Sequence, residues 1–381
     1  MDYGCFLTCL KLMVIHNLYF FCKKKTNMKN KILQIIAVIV LFSSQQATAQ
    51  DPHFSQFYMA PIHLNPAMTG VFEGSFRVNA NYREQWGSAL GANPFRTIAA
   101  SFDYRKNIVG GDYMAIGVSG MRDEAGESLF TQNRGHLSLS YLKQLGGSRY
   151  SSQVQYLVAG GQIGVGRNAV NSSNLWFSSQ FEESSVSVNQ GLNNMEPNIS
   201  GSSDMFLDFN AGLLYYALFD DNASFYVGGA LNHLNAPQIS LYENGNETLY
   251  TRWVGHAGGE IPLTPELSLL PAIAVMGQGP SFQTNVGTNF RYSNHDWREV
   301  AIRVGLWTRL AGAEKIEGGS ILNDAFIISM ILEMERINIG ISYDVNASDL
   351  KLATQSRGAF ELSMTYINPA KRKLRVKCPK F

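Results

Sequence analysis

The amino-acid sequence predicts an all-β protein, an antiparallel transmembrane β-barrel of the outer-membrane type with about 14 strands. Three observations support this prediction. Apolar and polar residues alternate along the strands, the strands are about nine to eleven residues long, and short connections alternate with longer ones. Together these features are typical of barrels that cross a bilayer with tilted strands.

The alternation is clearest between Arg336 and Val345. Apolar residues stand at every odd position from Ile337 onward, and Asn, Gly, Ser and Asp stand between them. Successive side chains of a strand point to opposite faces, so this stretch is a strand with one apolar and one polar side. The pattern recurs from Phe360 to Tyr366.

The barrel domain is predicted to span residues 75–368. Its candidate strands occupy the ranges 75–85, 94–104, 113–122, 133–144, 151–165, 205–219, 223–233, 249–261, 266–277, 282–292, 299–309, 323–333, 336–346 and 357–367.

A soluble β-sandwich would also show alternation, but three features favour a membrane barrel. The strands are long, and their polar face carries Arg, Asn and Gln at mid-strand. Aromatic residues cluster at strand ends, as an interfacial girdle requires. These aromatic residues are Tyr141, Tyr215, Tyr216, Tyr250, Trp253, Tyr292, Trp297, Tyr343 and Tyr366.

The connections predict the orientation of the barrel. Short turns at 146–148, 220–222, 262–265 and 333–335 all follow even-numbered strands, and the longest loop, 167–204, follows an odd-numbered one. Outer-membrane barrels have short periplasmic turns and longer outside loops. Both ends of the barrel domain are therefore expected in the periplasm, and the sheet must close because an open edge in hydrocarbon leaves backbone groups unpaired.

Composition and charge argue against nucleic-acid binding. The chain has 381 residues with 35 Gly, 22 Phe and 17 Tyr, and 16% of the residues are charged. Its formal charge is +1, and the first 49 residues hold six Lys and one Asp, which leaves a net of −4 beyond them. The sequence shows no basic footprint for a nucleic acid.

The sequence gives little support for a metal site, a cofactor or catalysis. Of the four cysteines only Cys378 follows residue 27, so neither an intrachain disulfide nor a thiolate cluster is expected. The strongest candidates for catalytic residues are His136 near Ser138 and Ser140, or His256 on a strand. No motif supports these residues as a nucleophile and base, and we expect a non-enzymatic protein without cofactors.

The N-terminal region has the pattern of a signal peptide. Met28 opens a basic segment, Ile32 to Phe42 is a short apolar run, and small residues precede a cleavage site between Ala49 and Gln50. Residues 1–27 are expected to be an upstream extension, and 28–49 the signal peptide. The alternative is a genuine N-terminal region whose apolar segment is an anchor.

Two irregular segments flank the predicted barrel. The lead, residues 50–74, is rich in aromatic residues, and Pro52, Pro61 and Pro66 prevent a regular ladder there. The tail, residues 369–381, carries six basic residues. It is either a solvated end or a periplasmic docking segment for an acidic partner or lipid head groups.

The lead and the strands carry a family resemblance. Gln50-Asp51-Pro52-His53-Phe54-Ser55-Gln56-Phe57-Tyr58 is followed by Leu64-Asn65-Pro66-Ala67-Met68-Thr69-Gly70 and by Tyr82-Arg83-Glu84-Gln85-Trp86. Further similar stretches are Met121 to Gly126, Gly340 to Asp344, Ser356 to Leu362 and Cys378-Pro379-Lys380-Phe381. The chain resembles the PorP/SprF family of type IX secretion system membrane proteins from Bacteroidota. It departs from the family at Ala359-Phe360, where His is common, and in its long 167–204 loop.

The resemblance implies an outer-membrane barrel accessory to type IX secretion. Such proteins support secretion or surface attachment of particular cargo with a C-terminal sorting domain, including gliding adhesins. The implied partners are this cargo, periplasmic secretion or gliding components, and outer-membrane lipid. The candidate partner-binding residues are Asp51, Pro52, Phe54, Ser55, Gln56, Tyr58, Asn65, Pro66, Gly70, Arg83 and Trp86.

Two questions stay open at the level of sequence. The lead is expected to plug or line the periplasmic mouth of the barrel, partly against Arg77, Arg83 and Trp86, or to pack on its rim for stability. The barrel is either a partner-binding protein or a transport channel for solutes. Inward Arg77, Arg83, Arg291, Arg303 and Arg309 could select anions, or could pair with carboxylates such as Asp208, Asp344 and Glu361 in a closed lumen.

Overall fold

The computed structural model describes residues 51–91, 93–147, 153–171, 175–182, 184–189, 191–192, 201–220, 223–243, 245–294, 300–313, 320–348 and 351–369. The predicted upstream extension and signal peptide, including Ala49 and Gln50, lie outside these residues, and so does the basic part of the tail. Among the described residues no helix is long and apolar enough to span a membrane.

The strands form one closed antiparallel barrel of 14 strands, as predicted. They are β1 Phe76–Gln85, β2 Phe95–Asn107, β3 Tyr113–Ala125, β4 Phe130–Gly146, β5 Val154–Ala169, β8 Phe206–Asp220, β9 Ala223–Asn232, β10 Arg252–Pro262, β11 Leu267–Gln278, β12 Ser281–Tyr292, β13 Ala301–Ala313, β14 Ser320–Glu333, β15 Ile337–Asn346 and β16 Arg357–Asn368. The remaining two, β6 Phe181–Glu182 and β7 Ser187–Val188, make a small hairpin in the longest loop. That hairpin was not predicted from the sequence.

Closure occurs between the first and last strands. β1 pairs with β16 in an unbroken register from Phe76 opposite Asn368 to Gln85 opposite Ala359. Every other strand of the barrel pairs with its two neighbours along the chain. No edge strand is left in the barrel, which satisfies the requirement of a lipid-facing sheet.

The two faces of the strands follow the sequence pattern. On β1 the side chains of Arg77, Asn79 and Arg83 are buried in the lumen, whereas Val78 points outward and is exposed. The same division holds on β15, where Asp344 is completely buried. The outward side chains are mostly Val, Ile, Leu and Phe, which suits contact with hydrocarbon.

The two ends of the barrel have connections of different lengths. We call one the short-turn end, with connections 108–112, 147–153, 221–222, 263–266, 293–300 and 334–336. The opposite, long-loop end has connections 86–94, 126–129, 170–205, 233–251, 279–280, 314–319 and 347–356. At the long-loop end 126–129 and 279–280 are short, but the longest connections all lie there, so the predicted alternation of connection lengths is confirmed in its main feature.

The predicted aromatic girdle is present, but the assignment of Tyr216 to it was wrong. Tyr141, Trp253, Tyr292 and Tyr343 point outward and are exposed near strand ends. Tyr216 does not belong to the girdle, because it is fully buried in the lumen and stacks on Tyr156 with ring centroids 5.2 Å apart. Trp297 lies outside the described residues.

In the described part of the chain, three short helices of four residues each lie outside the strands. They are Pro61–Leu64 in the lead, Gly87–Leu90 after β1 and Lys351–Thr354 before β16. The lead also contains two 3₁₀ turns, Phe57–Met59 and Pro66–Met68. Pro61 and Pro66 stand at the first positions of their helical segments, where the missing N–H group is not needed.

Candidate functional site

The lead lies inside the barrel. Between residues 51 and 72 only Pro52, His53 and His63 are partly exposed, and all other residues are buried. Many of its apolar side chains, among them Phe57, Met68 and Val71, belong to one hydrophobic cluster with inward residues of the barrel wall, and Phe54 and Ala60 belong to a second, smaller one. The lead and the apolar part of the wall therefore form the core of the barrel together.

The lead extends along the lumen from one end to the other. Asp51 contacts His233 and Gln278, which lie at the long-loop end. Phe72 lies under the guanidinium groups of Arg77 and Arg105, near the short-turn end. The lead thus lies deeper than predicted: it fills the lumen along its length instead of covering the periplasmic mouth or the rim.

The middle of the lead is seated on two glycines. Gly160 of β5 and Gly212 of β8 are direct cross-strand partners and both face inward. A Cβ at Gly160 would lie 2.5 Å from the backbone N of Ala67, and one at Gly212 would lie 2.0 Å from Oδ1 of Asn65. Glycine in a strand interior often marks such a close approach of another backbone.

Asn65 is the polar anchor of this seat. Its Oδ1 accepts the N–H group of Ala67 at 2.8 Å, which caps the 3₁₀ turn. Its Nδ2 donates to the carbonyl oxygen of Leu213 at 3.1 Å and to Nε2 of His256 at 2.9 Å. An asparagine with no exposed surface therefore uses both ends of its amide, as a buried amide must.

A carboxylate on the wall holds the first turn of the lead. Glu361 accepts the backbone N–H groups of Ser55 and Gln56, at 2.6 and 2.9 Å, and also pairs with Arg83. The hydroxyl of Ser55 donates to Asp344 at 2.7 Å. Hydrogen bonds to ionised groups are about twice as strong as neutral ones, so this is a firm attachment point.

An aromatic cluster follows directly. Tyr58 stacks on Trp307 with ring centroids 5.2 Å apart, and Phe57 meets Trp307 edge to face at 5.5 Å. The hydroxyl of Tyr58 bonds Ser329 at 3.0 Å. Aromatic pairs of this kind contribute about 0.5–1.5 kcal/mol each beyond their buried area.

At the short-turn end a salt bridge closes around the lead. Asp103 accepts the N–H group of Gly70 at 2.7 Å and binds Arg77 through both carboxylate oxygens. Arg77 in turn donates to the carbonyl oxygens of Met68 and Val71. The positive φ of Gly70, +79°, lets the chain turn at this point against the wall.

At the long-loop end a histidine lies between two carboxylates. His233 binds Asp51 through Nε2 and Asp208 through Nδ1, and Asp208 also binds His136 at 2.9 Å. Arg134 pairs with Asp51 at 2.6 Å. A ring that donates from both nitrogens is the charged imidazolium, so His233 serves here as a cation.

Burial and neighbouring charges shift the pKa values of His233 and Asp51 in opposite directions. Burial alone would lower the pKa of His233, but Asp51 and Asp208 raise it above its usual value. Burial alone would raise the pKa of the Asp51 carboxyl, but Arg134 and His233 hold it well below its usual range. Both groups are therefore stabilised in their charged forms, and the pair ties the beginning of the lead to the barrel.

The inward arginines of the sequence prediction have carboxylate partners. Arg77 pairs with Asp103, and Arg83 with Asp344 and Glu361, whereas Arg291 and Arg303 share Glu333. Arg309 binds Asp324 and Asp344. Of the two sequence alternatives, the arrangement matches the paired, closed lumen rather than a row of anion-selecting charges.

The sequence candidates for catalysis have structural bonds instead. His136 binds Asp208, the hydroxyl of Ser138 accepts from Gln162, and the hydroxyl of Ser140 donates to the carbonyl oxygen of Thr69. His256 accepts from Asn65. None of these contacts joins a hydroxyl to a histidine as a nucleophile and its base would be joined.

A cavity of about 280 Å³, which we call the vestibule, opens above the beginning of the lead. Asp51, Pro52 and His53 form its floor, and Arg83 and Trp86 contribute to its wall. The other lining residues are Gln85, Phe95, Thr97, Asp123, Ala125, Phe130 and Gln132. It lies at the long-loop end and combines charged groups with three aromatic rings.

Trp86 is the most distinctive wall residue of the vestibule. Its ring packs on Phe95 with centroids 5.2 Å apart, and its backbone adopts the left-handed conformation with φ 59°. Its indole Nε1 is buried and has no hydrogen-bond partner in the part of the chain that is described. Indole N–H groups usually find an acceptor when they are buried, so Trp86 departs from the usual pattern.

The structure thus divides the sequence candidates into two groups. Asp51, Pro52, Arg83 and Trp86 meet in the vestibule. The others are buried between the lead and the wall: Phe54, Ser55, Gln56, Tyr58, Asn65, Pro66 and Gly70. Ala49 and Gln50 lie outside the described residues.

Sequence reasoning missed His233, Asp103 and the glycine seat. His233 follows a strand and had no motif around it, and Asp103 looked like one polar residue among many. The glycine pair did leave a signal, because Gly160 and Gly212 stand at inward positions of two predicted strands.

Comparison with models of known protein families shows to which family the chain belongs. The family described as "Type IX secretion system membrane protein PorP/SprF" matches residues 46–366. The chain belongs to the PorP/SprF family. Its barrel is therefore that of a secretion-associated membrane protein, and its resemblance from sequence is confirmed.

Comparison of this PorP/SprF chain with individually curated proteins finds no match. Solved structures match only as barrels. The KdgM porin in complex with disordered oligogalacturonate shares 8% identity, with a TM-score of 0.32 over 76% of this chain and 98% of the porin chain. CdiB from Acinetobacter baumannii shares 7% identity, with a TM-score of 0.43 over 77% of this chain and 60% of its own. The CymD monoaromatic hydrocarbon channel shares 11% identity, with a TM-score of 0.42 over 85% of this chain and 95% of the channel chain.

Proposed function

We propose that this PorP/SprF barrel is a non-enzymatic outer-membrane protein that holds specific cargo of type IX secretion at the cell surface. The cargo is a secreted protein with a C-terminal sorting domain, such as a gliding adhesin. The long-loop end faces outward and contacts the cargo, and the short-turn end faces periplasmic secretion or gliding components. Family membership supports the link to secretion, and the unequal connections support the orientation.

The vestibule is the observation that carries this proposal. It brings together four of the residues that the family resemblance pointed to, Asp51, Pro52, Arg83 and Trp86, at the end with the long loops. Aromatic rings and arginines are the residue types that dominate protein-protein contacts. A segment of cargo entering the vestibule would meet the Trp86 ring and both signs of charge.

The longest loop adds a second surface at the same end. Trp176, Phe181, Val186 and Leu192 are all exposed on it, and Val186 has 78% of its surface accessible. Exposed apolar residues outside the lipid-facing band are a common mark of protein interaction sites. We assign this surface to the cargo as well.

The lead supports binding over transport. It occupies the lumen and is bonded to the wall at Asp51, Ser55, Asn65 and Gly70, and the inward arginines already have carboxylate partners. A solute would have to displace a segment that packs into one hydrophobic cluster with the wall. A rigid floor beneath the vestibule is, in contrast, useful to a binding protein.

The proposal is tested by crosslinking in intact cells of the organism that makes the protein. The barrel carries a tag in the loop 170–205, and crosslinked partners are recovered with it. We expect a large surface protein with a C-terminal sorting domain, together with periplasmic secretion components. Recovery of general barrel-assembly factors alone, in cells whose secretion does not change when the gene is deleted, would overturn the proposal.

A pair of tryptophan variants localises the contact. Trp86→Ala removes part of the vestibule wall and should reduce crosslinked cargo about thirtyfold, because truncating an interface hot spot costs about 2 kcal/mol. Trp253→Ala is the matched control, because Trp253 is an exposed aromatic residue on the outward face of β10. Equal loss of cargo in both variants, with equal amounts of folded barrel, would refute the assignment to the vestibule.

A further inference from the structure

The lipid-facing surface of the barrel has a groove where four strands meet. Its floor is a cross-strand row of small residues: Ala100 of β2 pairs with Gly120 of β3, Gly120 pairs with Gly135 of β4, and Gly135 pairs with Val165 of β5. The groove has a volume of about 490 Å³ and an apolar lining. We call it the lateral groove.

A side chain at either glycine of the groove would meet open space in the described part of the protein. A Cβ at Gly120 would find only the carbonyl oxygen of Arg134, at 3.9 Å, and one at Gly135 only that of Ser119, at 3.9 Å. This contrasts with Gly160, where the lead leaves no room. Glycine in a strand interior weakens the strand, and it often marks a place where a ligand approaches closely.

Bulky apolar side chains border the floor on the side toward the short-turn end. Phe102, Val118, Leu137 and Ile163 occupy the next outward row and are all exposed. The small residues therefore interrupt an otherwise bulky hydrocarbon-facing band. The gap is shaped for something apolar that lies against the barrel.

The row toward the long-loop end is polar and cationic except for Ile98 of β2, which pairs with Arg122. Arg122 pairs with Asn133, and Asn133 pairs with Arg167, directly beyond Gly120, Gly135 and Val165. Arg122 holds Glu124 at 3.0 Å, and Arg167 bonds Ser202 and the carbonyl oxygen of Ser203. Each guanidinium has five N–H donors, so both keep donors for a further acceptor.

The position of these cations matches a membrane interface. Along β3 the outward residues Met114, Ile116 and Val118 precede Gly120 and Arg122, so the arginine follows the apolar band immediately. The other edge of the band carries Lys106 and Lys143. With strands tilted by about 40°, the apolar band of such barrels is about 25 Å tall, and the arginines lie at its boundary on the long-loop side.

We propose that the lateral groove binds a lipid of the membrane leaflet at the long-loop end, with an acyl chain over Gly120 and Gly135 and an anionic phosphate headgroup at Arg122 and Arg167. The apolar floor and the cationic rim select for a molecule that has both parts. Basic pockets at a bilayer boundary bind anionic head groups in this way. The inference requires only that the barrel spans a membrane, and it stands apart from the role in secretion.

The test uses the purified full-length protein in a mild detergent, with monophosphoryl lipid A as the probe and native mass spectrometry as the readout. We expect discrete bound lipid on the wild-type protein. Filling the groove with Gly120→Leu and Gly135→Leu should reduce the bound fraction about tenfold, because an acyl chain loses its place while the open space tolerates the side chains. Arg122→Gln with Arg167→Gln should reduce the bound fraction about twenty-five-fold, since each cation near an anionic surface contributes about fivefold to binding.

Two controls keep the test specific. Lys106→Gln with Lys143→Gln removes the same charge from the opposite boundary and should leave binding unchanged. The heat-modifiability of each variant on a gel shows that the barrel is folded. The inference is overturned if the folded groove variants bind lipid A as the wild type does, or if inorganic phosphate alone displaces the lipid completely, which would leave a phosphate site without an acyl chain.

Discussion

At the scale of single residues, the lead is held by charged groups that are buried with their partners. Glu361 accepts two backbone N–H groups of the lead, Asp103 accepts a third, and His233 joins Asp51 to Asp208. Removing one member of a buried charged pair typically costs about 3–5 kcal/mol, because it leaves the other charge without compensation. The attachment of the lead therefore depends on a few residues, and one of them is a histidine whose pKa is raised by its carboxylate partners.

His233 makes the attachment sensitive to pH. Its pKa is raised in the folded protein, although burial opposes this, because Asp51 and Asp208 favour the charged ring. A raised folded-state pKa means that the stabilisation is fully present below the unfolded value of about 6.5 and is lost as the pH rises through the folded value. The unfolding temperature should therefore fall between pH 6 and pH 9, and His233→Gln should flatten this decrease.

His63→Gln is the control for that experiment. Burial, with the nearby His136 and Arg252, lowers the pKa of His63 to about 4. His63 is then neutral throughout the range from pH 6 to pH 9, and its replacement should leave the slope intact. A wild-type unfolding temperature that does not change over this range, measured by heat-modifiability, would contradict the role given to His233.

At the scale of elements, the strands were predictable and the position of the lead was not. Outward contact with hydrocarbon and inward contact with polar groups impose a period of two, which is visible in Ile337 to Val345 without any structure. The lead shows no regular alternation of apolar and polar residues. Its aromatic residues indicated that it packs against other parts of the protein, but they did not indicate which parts. Its path depends on single partners, such as Glu361 for Ser55, that lie hundreds of residues away in the chain.

The candidate site was predictable to a similar, limited extent. The family motif contained Arg83 and Trp86, but their meeting with Asp51 and Pro52 depends on the lead reaching the long-loop end. The pairing of Arg83 with Asp344 and Glu361 was one of two alternatives in the sequence, since alternation alone places both signs of charge in the lumen. Geometry was needed to choose between them.

The glycine seat gives an element-scale prediction. Gly212→Val would place side-chain atoms where Asn65 now lies, and overpacking of this kind costs about 1–3 kcal/mol. We expect the lead to be displaced and to become accessible to protease, while the strands remain paired. Limited proteolysis followed by N-terminal sequencing measures this directly.

Gly255→Val is the matched control, because a Cβ at Gly255 meets nothing within 4 Å. It introduces the same residue type into a neighbouring part of the sheet and should leave the lead protected. Equal protection of the lead in both variants would show that Gly160 and Gly212 do not form its seat.

At the scale of the whole molecule, the barrel is a membrane-embedded frame around its own N-terminal segment. The 14 strands close completely, their outer face suits lipid, and their inner face is satisfied by the lead and by paired charges. Among the described residues, the surfaces open to other molecules include the vestibule, the short-turn end and the lateral groove. This organisation supports the proposed function in binding over the alternative of a solute channel.

Single-channel conductance in a planar bilayer tests this central claim most directly. The wild-type protein should show no sustained ion conductance, because the lead fills the lumen. A variant without residues 51–70 should conduct, and Gly212→Val, which keeps the full chain, should show intermittent openings. A steadily open wild-type channel with the same conductance as the lead-free variant would contradict the account and would favour a transport function instead.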